Sequence, residues 1–372
     1  MRKGLAAAGV VALISVGSVA CGTDNPTTPQ GKIGDAFAKL GKQSTVTLDL
    51  SFDGTSDQIY SAMKDEDDFT QADATLLSSL HITVGASSKQ QFNLLSHAKT
   101  ADGTSSDVAL TTEDGGGTTL LEFRTIGQKV YLRFDVKGLE KLDVNPSSSD
   151  TASIDKFNSQ FLDQADSLPA SLASVKAALK GQWVSIDPKS YEQFAQSLGG
   201  QTGDDSGATA DQLSNLKFDA ATRKQVTDAV RAALTKNATY KDLGSKDGAD
   251  HVQVSVPARQ FAKDLDTGLA PVIQKFPGVK DSDITAFEDA DSVPDKTVTA
   301  DVAIKGGSLS AITFNVGQLD SSVVGSLPLK LAFDGSAKAI TAPAGAQVLN
   351  PQDIMGYVMS AMGESGGDDS SF

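Results

Sequence analysis

The chain has 372 residues, 39% of them hydrophobic, with 47 acidic side chains against 32 basic ones and a formal net charge of −15. That excess of negative charge argues against nucleic acid or anionic lipid surfaces as electrostatic partners, and the length suffices for two domains or one large one with a sizeable core. Cys21 is the single cysteine, so no disulfide framework can form within the chain.

In chain order, Arg2 and Lys3 form a short basic region, and Leu5 to Val16 is an apolar, small-residue run too short to span a bilayer comfortably. Ser18-Val19-Ala20 is a small-residue cleavage stretch with Cys21 directly after it. Small residues suit a signal peptidase pocket, and the following thiol is the atom that accepts diacylglycerol. An ordinary secretory signal cut after Ala20 has the same small residues. The lone cysteine at this one position favours the acylated reading. Residues 1–20 are therefore expected to be a signal peptide, with Cys21 the lipid attachment site. The expected location is extracytoplasmic, on the outer face of the cell membrane. Loss of Arg2 and Lys3 leaves 30 basic against 47 acidic side chains, a charge of −17. No later segment is long enough to cross a membrane, so anchoring falls to the acyl groups; one chain holds marginally, two or three hold stably.

Residues 21–32 are expected to be acylated Cys and flexible tether, since Gly22 to Gln30 is polar and twice broken by Pro. Ile33, Phe37 and Leu40 recur at helical spacing before Gly41. Val46, Leu48, Leu50 and Phe52 then alternate with polar residues, which predicts a half-buried strand. Further strands are predicted at His81 to Val84, Gln91 to Leu95, Asp107 to Thr111, Thr118 to Ile126 and Lys129 to Asp135, with Gly115-Gly116-Gly117 and Gly127-Gln128 as turns. Asp155 to Lys180 is helical in pattern around Pro169, and Gln182 to Ile186 is a strand holding Trp183, the one tryptophan. Asp187-Pro188 has the form of a helix start.

Gly199 to Ala210 is the clearest internal linker, rich in Gly, Ser, Thr and Asp. Beyond it the sequence predicts a helix from about Ala220 to Lys236, strands at Ala238 to Leu243 and His251 to Val256, and an amphipathic helix opening at Pro257. Strands at Thr297 to Ile304 and Leu309 to Val316 are joined by the hairpin Lys305-Gly306-Gly307-Ser308. A strand at Leu327 to Phe333 and a helix at Pro351 to Met362 close the pattern. The expected division is an N-terminal α+β lobe at 33–198, a linker at 199–215, a C-terminal α+β lobe at 216–362 and a disordered tail at 363–372. Short hairpins require antiparallel neighbours, and alternation leaves one sheet face wet. The expected fold class is thus α+β, a curved antiparallel sheet with helices gathered on one face.

Catalytic constellations are missing from the pattern. His81, His97 and His251 lie far apart, and there is no Gly-x-Ser-x-Gly elbow, Ser-x-x-Lys, His-x-x-x-His or cysteine pair. The acidic run Asp65 to Asp68 lacks the glycine and closing glutamate of a calcium loop, and Asp281-Ser282-Asp283 is similarly bare. The chain is expected to be no enzyme and to take no cofactor or metal.

Together the residues resemble the LolA-like lipoproteins of the LppX and LprG type, from actinobacterial envelopes. The likeness lies in the lipobox at Cys21, the tether, the helix and long strand from Ile33 to Phe52, and hairpins that include Gln128-Lys129-Val130-Tyr131-Leu132-Arg133. Gly181-Gln182-Trp183-Val184-Ser185-Ile186-Asp187 resembles a strand segment common in such proteins. The resemblance implies a half-barrel, one enlarged or two lobes, with helices on its concave face and an apolar cavity for acyl chains. The candidate lining is Phe261, Leu265, Leu269 and Ile273, one stripe at every fourth residue, facing Val302 and Phe314 on the strands. Two functions fit: a tethered carrier of a lipid or other apolar ligand, or a structural lipoprotein with a filled core and an unnamed protein partner.

Overall fold

A computed structural model describes residues 27–66, 69–87, 107–114, 116–127, 129–135, 137–138, 165–199, 220–273, 293–320 and 322–364. The signal region, Cys21, the strand expected at Gln91 to Leu95, nearly all of the 199–215 linker and most of the 363–372 tail lie outside them. The chain is α+β, with eight helices and twelve strands among the described residues. It divides into two compact units. The first comprises Met1–Ser78, Ser88–Thr104 and Ala208–Lys338; the second comprises Ser79–Ser87, Ser105–Gly207 and Ala339–Phe372. The units interleave along the chain, whereas the sequence pattern suggested consecutive lobes either side of 199–215.

In the first unit, α1 (Pro29–Gly41) begins where the tether was expected to continue. Thr28 caps it by accepting the Gly31 N–H at 3.0 Å, and Pro29 starts the helix at no hydrogen-bonding cost. The unit's strands are β1 (Thr45–Phe52), β7 (Thr239–Lys246), β8 (Ala249–Pro257), β9 (Thr297–Lys305), β10 (Ser308–Asn315) and β11 (Pro328–Asp334). They run in the order β1-β11-β10-β9-β8-β7, all antiparallel. The β9–β10 turn has both Gly306 (φ 56°) and Gly307 (φ 74°) in the left-handed region that a two-residue hairpin requires, which explains the glycine pair.

Register builds the core. Leu50, Leu331, Ile312, Val302 and Val252 are successive cross-strand partners on one sheet face. Ile33, Phe37 and Leu40 of α1 cover that row. Helices α6 (Ala220–Asn237) and α7 (Ala258–Ile273) pack on each other and, through Val256 and Val298, on the same face as Val302. The expected gathering of helices on one face is what the unit shows. Two short helices, α2 (Ser56–Met63) and α3 (Gln71–Ser79), bury Ile59, Ala62 and Ala74 against Leu327. Thr55 and Gln58 form a reciprocal capping box for α2.

The second unit has strands β2 (His81–Ser87), β3 (Asp107–Glu113), β4 (Thr119–Ile126), β5 (Lys129–Phe134), β6 (Val184–Ile186) and β12 (Gln347–Val348) in that spatial order. The first five are antiparallel neighbours, but β12 joins β6 in parallel, a departure from the all-antiparallel expectation. A two-residue strand remote in sequence carries no alternation to read. Helices α4 (Ala173–Leu179), α5 (Pro188–Gly199) and α8 (Pro351–Glu364) complete the unit.

Candidate functional site

The stripe on α7 is packed core. Phe261 and Leu265 are buried among Val230, Ala233 and Leu234 of α6 and Val256 and Val298 of the sheet, with Leu269 partly buried at the same cluster. The two helices approach so closely that a Cβ on Gly268 would lie 2.8 Å from the Ala229 Cβ. Val302 and Phe314 are equally buried, but in the cluster under α1. The structure therefore brings Phe261, Leu265 and Leu269 together and Val302 and Phe314 together, in two different clusters. The side chain of Ile273 and Cys21 lie outside the described residues.

A different apolar surface stands out in the second unit. Its register places Val84, Leu110, Phe123, Leu132 and Val184 in one lateral row from β2 to β6. Strands about 4.8 Å apart make such a row about 19 Å long. Ile82 and Leu121 flank it on the same face at one side, and Ala86 and Val108 at the other. The row grades from covered to open. Val184 is fully buried in a cluster formed with Val175, Ala178 and Leu349, and Leu132 packs at its margin. Leu110 and Phe123 are half-buried, belong to none of the buried clusters among the described residues, and Val84 is 41% exposed. No charged residue occupies this face of β2 to β5. Thr112 and Thr125 are its polar members.

The opposite face is polar and tightly organised. Glu122, with 7% of its side chain exposed, accepts Arg124 Nε at 2.9 Å and Nη2 at 2.6 Å on one oxygen and Arg133 Nε at 2.8 Å on the other. Both guanidiniums lie over the Trp183 ring, 4.9 and 5.1 Å from its centre. Arg124 Nη1 also donates to the Thr341 carbonyl at 2.8 Å, and the Ile340 N–H donates to Ser87 Oγ at 3.1 Å. The segment leading to β12 is thereby pinned across this face. Every polar arm of Glu122 is satisfied inside the cluster, so its chemistry is that of a structural clasp.

Hydrogen bonds also hold the C-terminal helix and the residues that lead into it. Tyr191 Oη donates to the Leu349 carbonyl at 3.0 Å, and Ser174 Oγ donates to Asp353 Oδ2 at 3.0 Å. Burial, with the nearby Asp353 charge adding to it, raises the Tyr191 phenol above its ordinary value; burial alone does so for Tyr357. Sequence reasoning missed both the apolar row and the Glu122 cluster. The strands were legible one by one, but the row exists through their pairing. The Glu-x-Arg on β4 opposite Arg133 on β5 was the available signal for the clasp.

Among the described residues, no group of three or more His, Cys, Asp or Glu is placed to hold a metal ion, and no helix is long and apolar enough to cross a membrane. No family model matches the chain. No curated protein matches it either. Among solved structures the chain is similar to the lipoprotein LppX of Mycobacterium tuberculosis, at 11% identity, over 85% of this chain and 100% of that chain, with a TM-score of 0.29. At that score the likeness assigns neither site nor function to this chain.

Proposed function

We propose that this is a membrane-tethered extracytoplasmic lipoprotein that binds the hydrocarbon part of a lipid or other apolar molecule on the sheet face of its second unit. The observation that carries this reading is the row Val84, Leu110 and Phe123, half-open and free of charge, running through partly buried Leu132 into buried Val184. A partly open apolar surface offers a place for an apolar partner, and burying methylenes at about 0.8 kcal/mol each requires no other chemistry. The reading assigns no catalytic step. It also moves the ligand away from α7, whose stripe is occupied by α6.

The experiment is to extract the purified protein with organic solvent, identify bound lipid by mass spectrometry, and titrate with a fluorescent fatty acid. The wild type is expected to bind, and Phe123→Asp to bind at least tenfold more weakly with a melting temperature changed by no more than about 3 °C, because Phe123 supports no buried cluster. No lipid in the extract and no binding by the wild type would leave the second reading, a protein-binding lipoprotein, for which exposed Met355 and Met359 on α8 offer a surface.

The tether is tested separately. Acylation proceeds through the thiol, so Cys21→Ser is expected to lose label from a fatty-acid analogue and to leave the membrane fraction or persist as precursor. Label retained on Cys21→Ser would refute the attachment site.

A further inference from the structure

We propose that the outer edge of β7, with Leu243 at its crest, is a second contact with the bilayer, made beside the tether. This inference rests on the membrane-tethered reading above and concerns the first unit alone. Two observations meet at that edge: the place where α1 begins and the shape of β7.

Helix α1 crosses the covered face of the first unit's sheet and starts at β7. Lys32, in its first turn, donates to Asp242 Oδ2 at 2.6 Å, whereas Lys39, in its last turn, donates at 2.6 Å to the Gly306 carbonyl in the β9–β10 turn. Pro29 lies eight residues beyond Cys21, and that length of chain reaches at most about 28 Å even when fully extended. A lipid on Cys21 therefore keeps the β7 side of the unit near the bilayer surface. Within that reach, a contact too weak to hold a free protein becomes an intramolecular one.

Among the described residues β7 ends the strand order of the sheet, and a bulge interrupts it. Asp242 pairs with Val252 and Gly244 with His251, so Leu243 is the extra residue. Asp242 builds the bulge. One of its carboxylate oxygens accepts the Gly244 N–H at 2.8 Å while the other accepts Lys32, and Gly244 takes the left-handed φ of 82°. The result is a leucine 47% exposed on a sheet edge, where folds commonly place charge. The same bulge, with Lys241 and Lys246 exposed on either side of it, breaks the regular ladder that the strand of a second copy would need. A bilayer requires no such ladder. Charge agrees with that occupant. Lys32, Lys241 and Lys246 match Asp242, Asp247 and Asp250 one for one, so this edge is locally neutral on a mature chain of charge −17 and suits a zwitterionic surface.

The test couples the full mature chain through Cys21, its single cysteine, to a maleimide-headgroup lipid in phosphatidylcholine vesicles, so that the anchor is supplied chemically. In Leu243→Trp the added tryptophan is expected to lose at least half its emission when the acyl chains are brominated, read as the excess over coupled wild type, in which Trp183 alone reports. With Leu243 in place, amine labelling of Lys241 and Lys246 is expected to slow at least threefold on coupling, and Leu243→Asp to abolish the slowing. Absence of excess quenching, or equal slowing in Leu243→Asp, overturns the contact. Slowing in the uncoupled chain that tracks a dimer in sedimentation also overturns it, by giving the edge to a second copy. Fatty-acid label retained on Cys21→Ser in the cell overturns the natural anchor and this inference with it. Label that depends on Cys21, with no contact in the vesicles, overturns the contact alone and leaves the tether intact.

Discussion

Leu265→Ala is expected to lower the unfolding free energy by about 4 kcal/mol, measured by calorimetry or urea titration. Leu265 is 1% exposed, and the atoms around it come from α6, β8 and β9, three elements fixed by their own contacts. Deleting a leucine side chain at such a site removes its transfer energy and leaves a cavity that neighbours fill only in part, which places the cost at about 2–5 kcal/mol. The upper half of that range applies because the helix pair cannot close in. Gly268 and Ala229 already bring the two backbones as near as side chains permit. Leu269→Ala, at a partly buried position of the same helix, is expected to cost about half as much. A Leu265→Ala protein of nearly wild-type stability that had lost a bound apolar ligand would instead make α7 the wall of a cavity.

The contrast shows what the sequence could say about this region. Phe261, Leu265 and Leu269 recur at helical spacing, so an apolar face on α7 was legible, as were α1, β1 and the Gly306-Gly307 hairpin. Each of these is written in local periodicity or turn chemistry. Which surface covers a stripe is not a local property. Val302 and Phe314 alternate correctly on their strands, yet α1 covers them, and α7 finds Val230 and Leu234 of α6 instead. The pairing of β1 with β11, which interleaves the two units, is likewise set by contacts between residues 47–52 and 329–334 that no window of sequence contains. Helices α2 and α3 escaped notice for another reason. They are short, and most of their apolar residues are alanines or only half-buried, so their clearest signal was the Thr55–Gln58 capping box rather than a stripe. The apolar row of the second unit was half legible: the alternation of β2, β3 and β4 could be read, but the register that lines up Val84, Leu110 and Phe123 could not. Trp183 was expected inside a strand and stands just before one, where its ring is free to carry two guanidiniums.

That position gives the second large effect. Glu122→Ala is expected to destabilise the second unit by about 3 kcal/mol and to alter Trp183 fluorescence even in the folded protein. In the wild type one carboxylate neutralises two guanidiniums with charge-assisted bonds of 2.6–2.9 Å. Removing it leaves Arg124 and Arg133 facing each other beside one indole ring, with like charges unscreened by any carboxylate between them. Breaking a buried ion pair in this one-sided way costs about 3–5 kcal/mol. The lower end applies because Arg124 and Arg133 keep 25% and 36% of their side chains exposed, so water can take up part of the lost interaction. The hydrogen bond from Arg124 to Thr341 should weaken with it, loosening the segment that leads to β12. Arg124→Met is therefore expected to show faster hydrogen exchange at residues 339–349 while keeping the Glu122–Arg133 pair. Glu122→Gln, which preserves the shape and one acceptor oxygen, should fall between Glu122→Ala and wild type. If Glu122→Ala changed stability by less than 0.5 kcal/mol, roughly the size of an exposed surface pair, the cluster would be a solvated ornament of the polar face, and the pinning of residues 340–349 would have to come from the β6–β12 hydrogen bonds together with those of Ile340 to Ser87 and Tyr191 to Leu349.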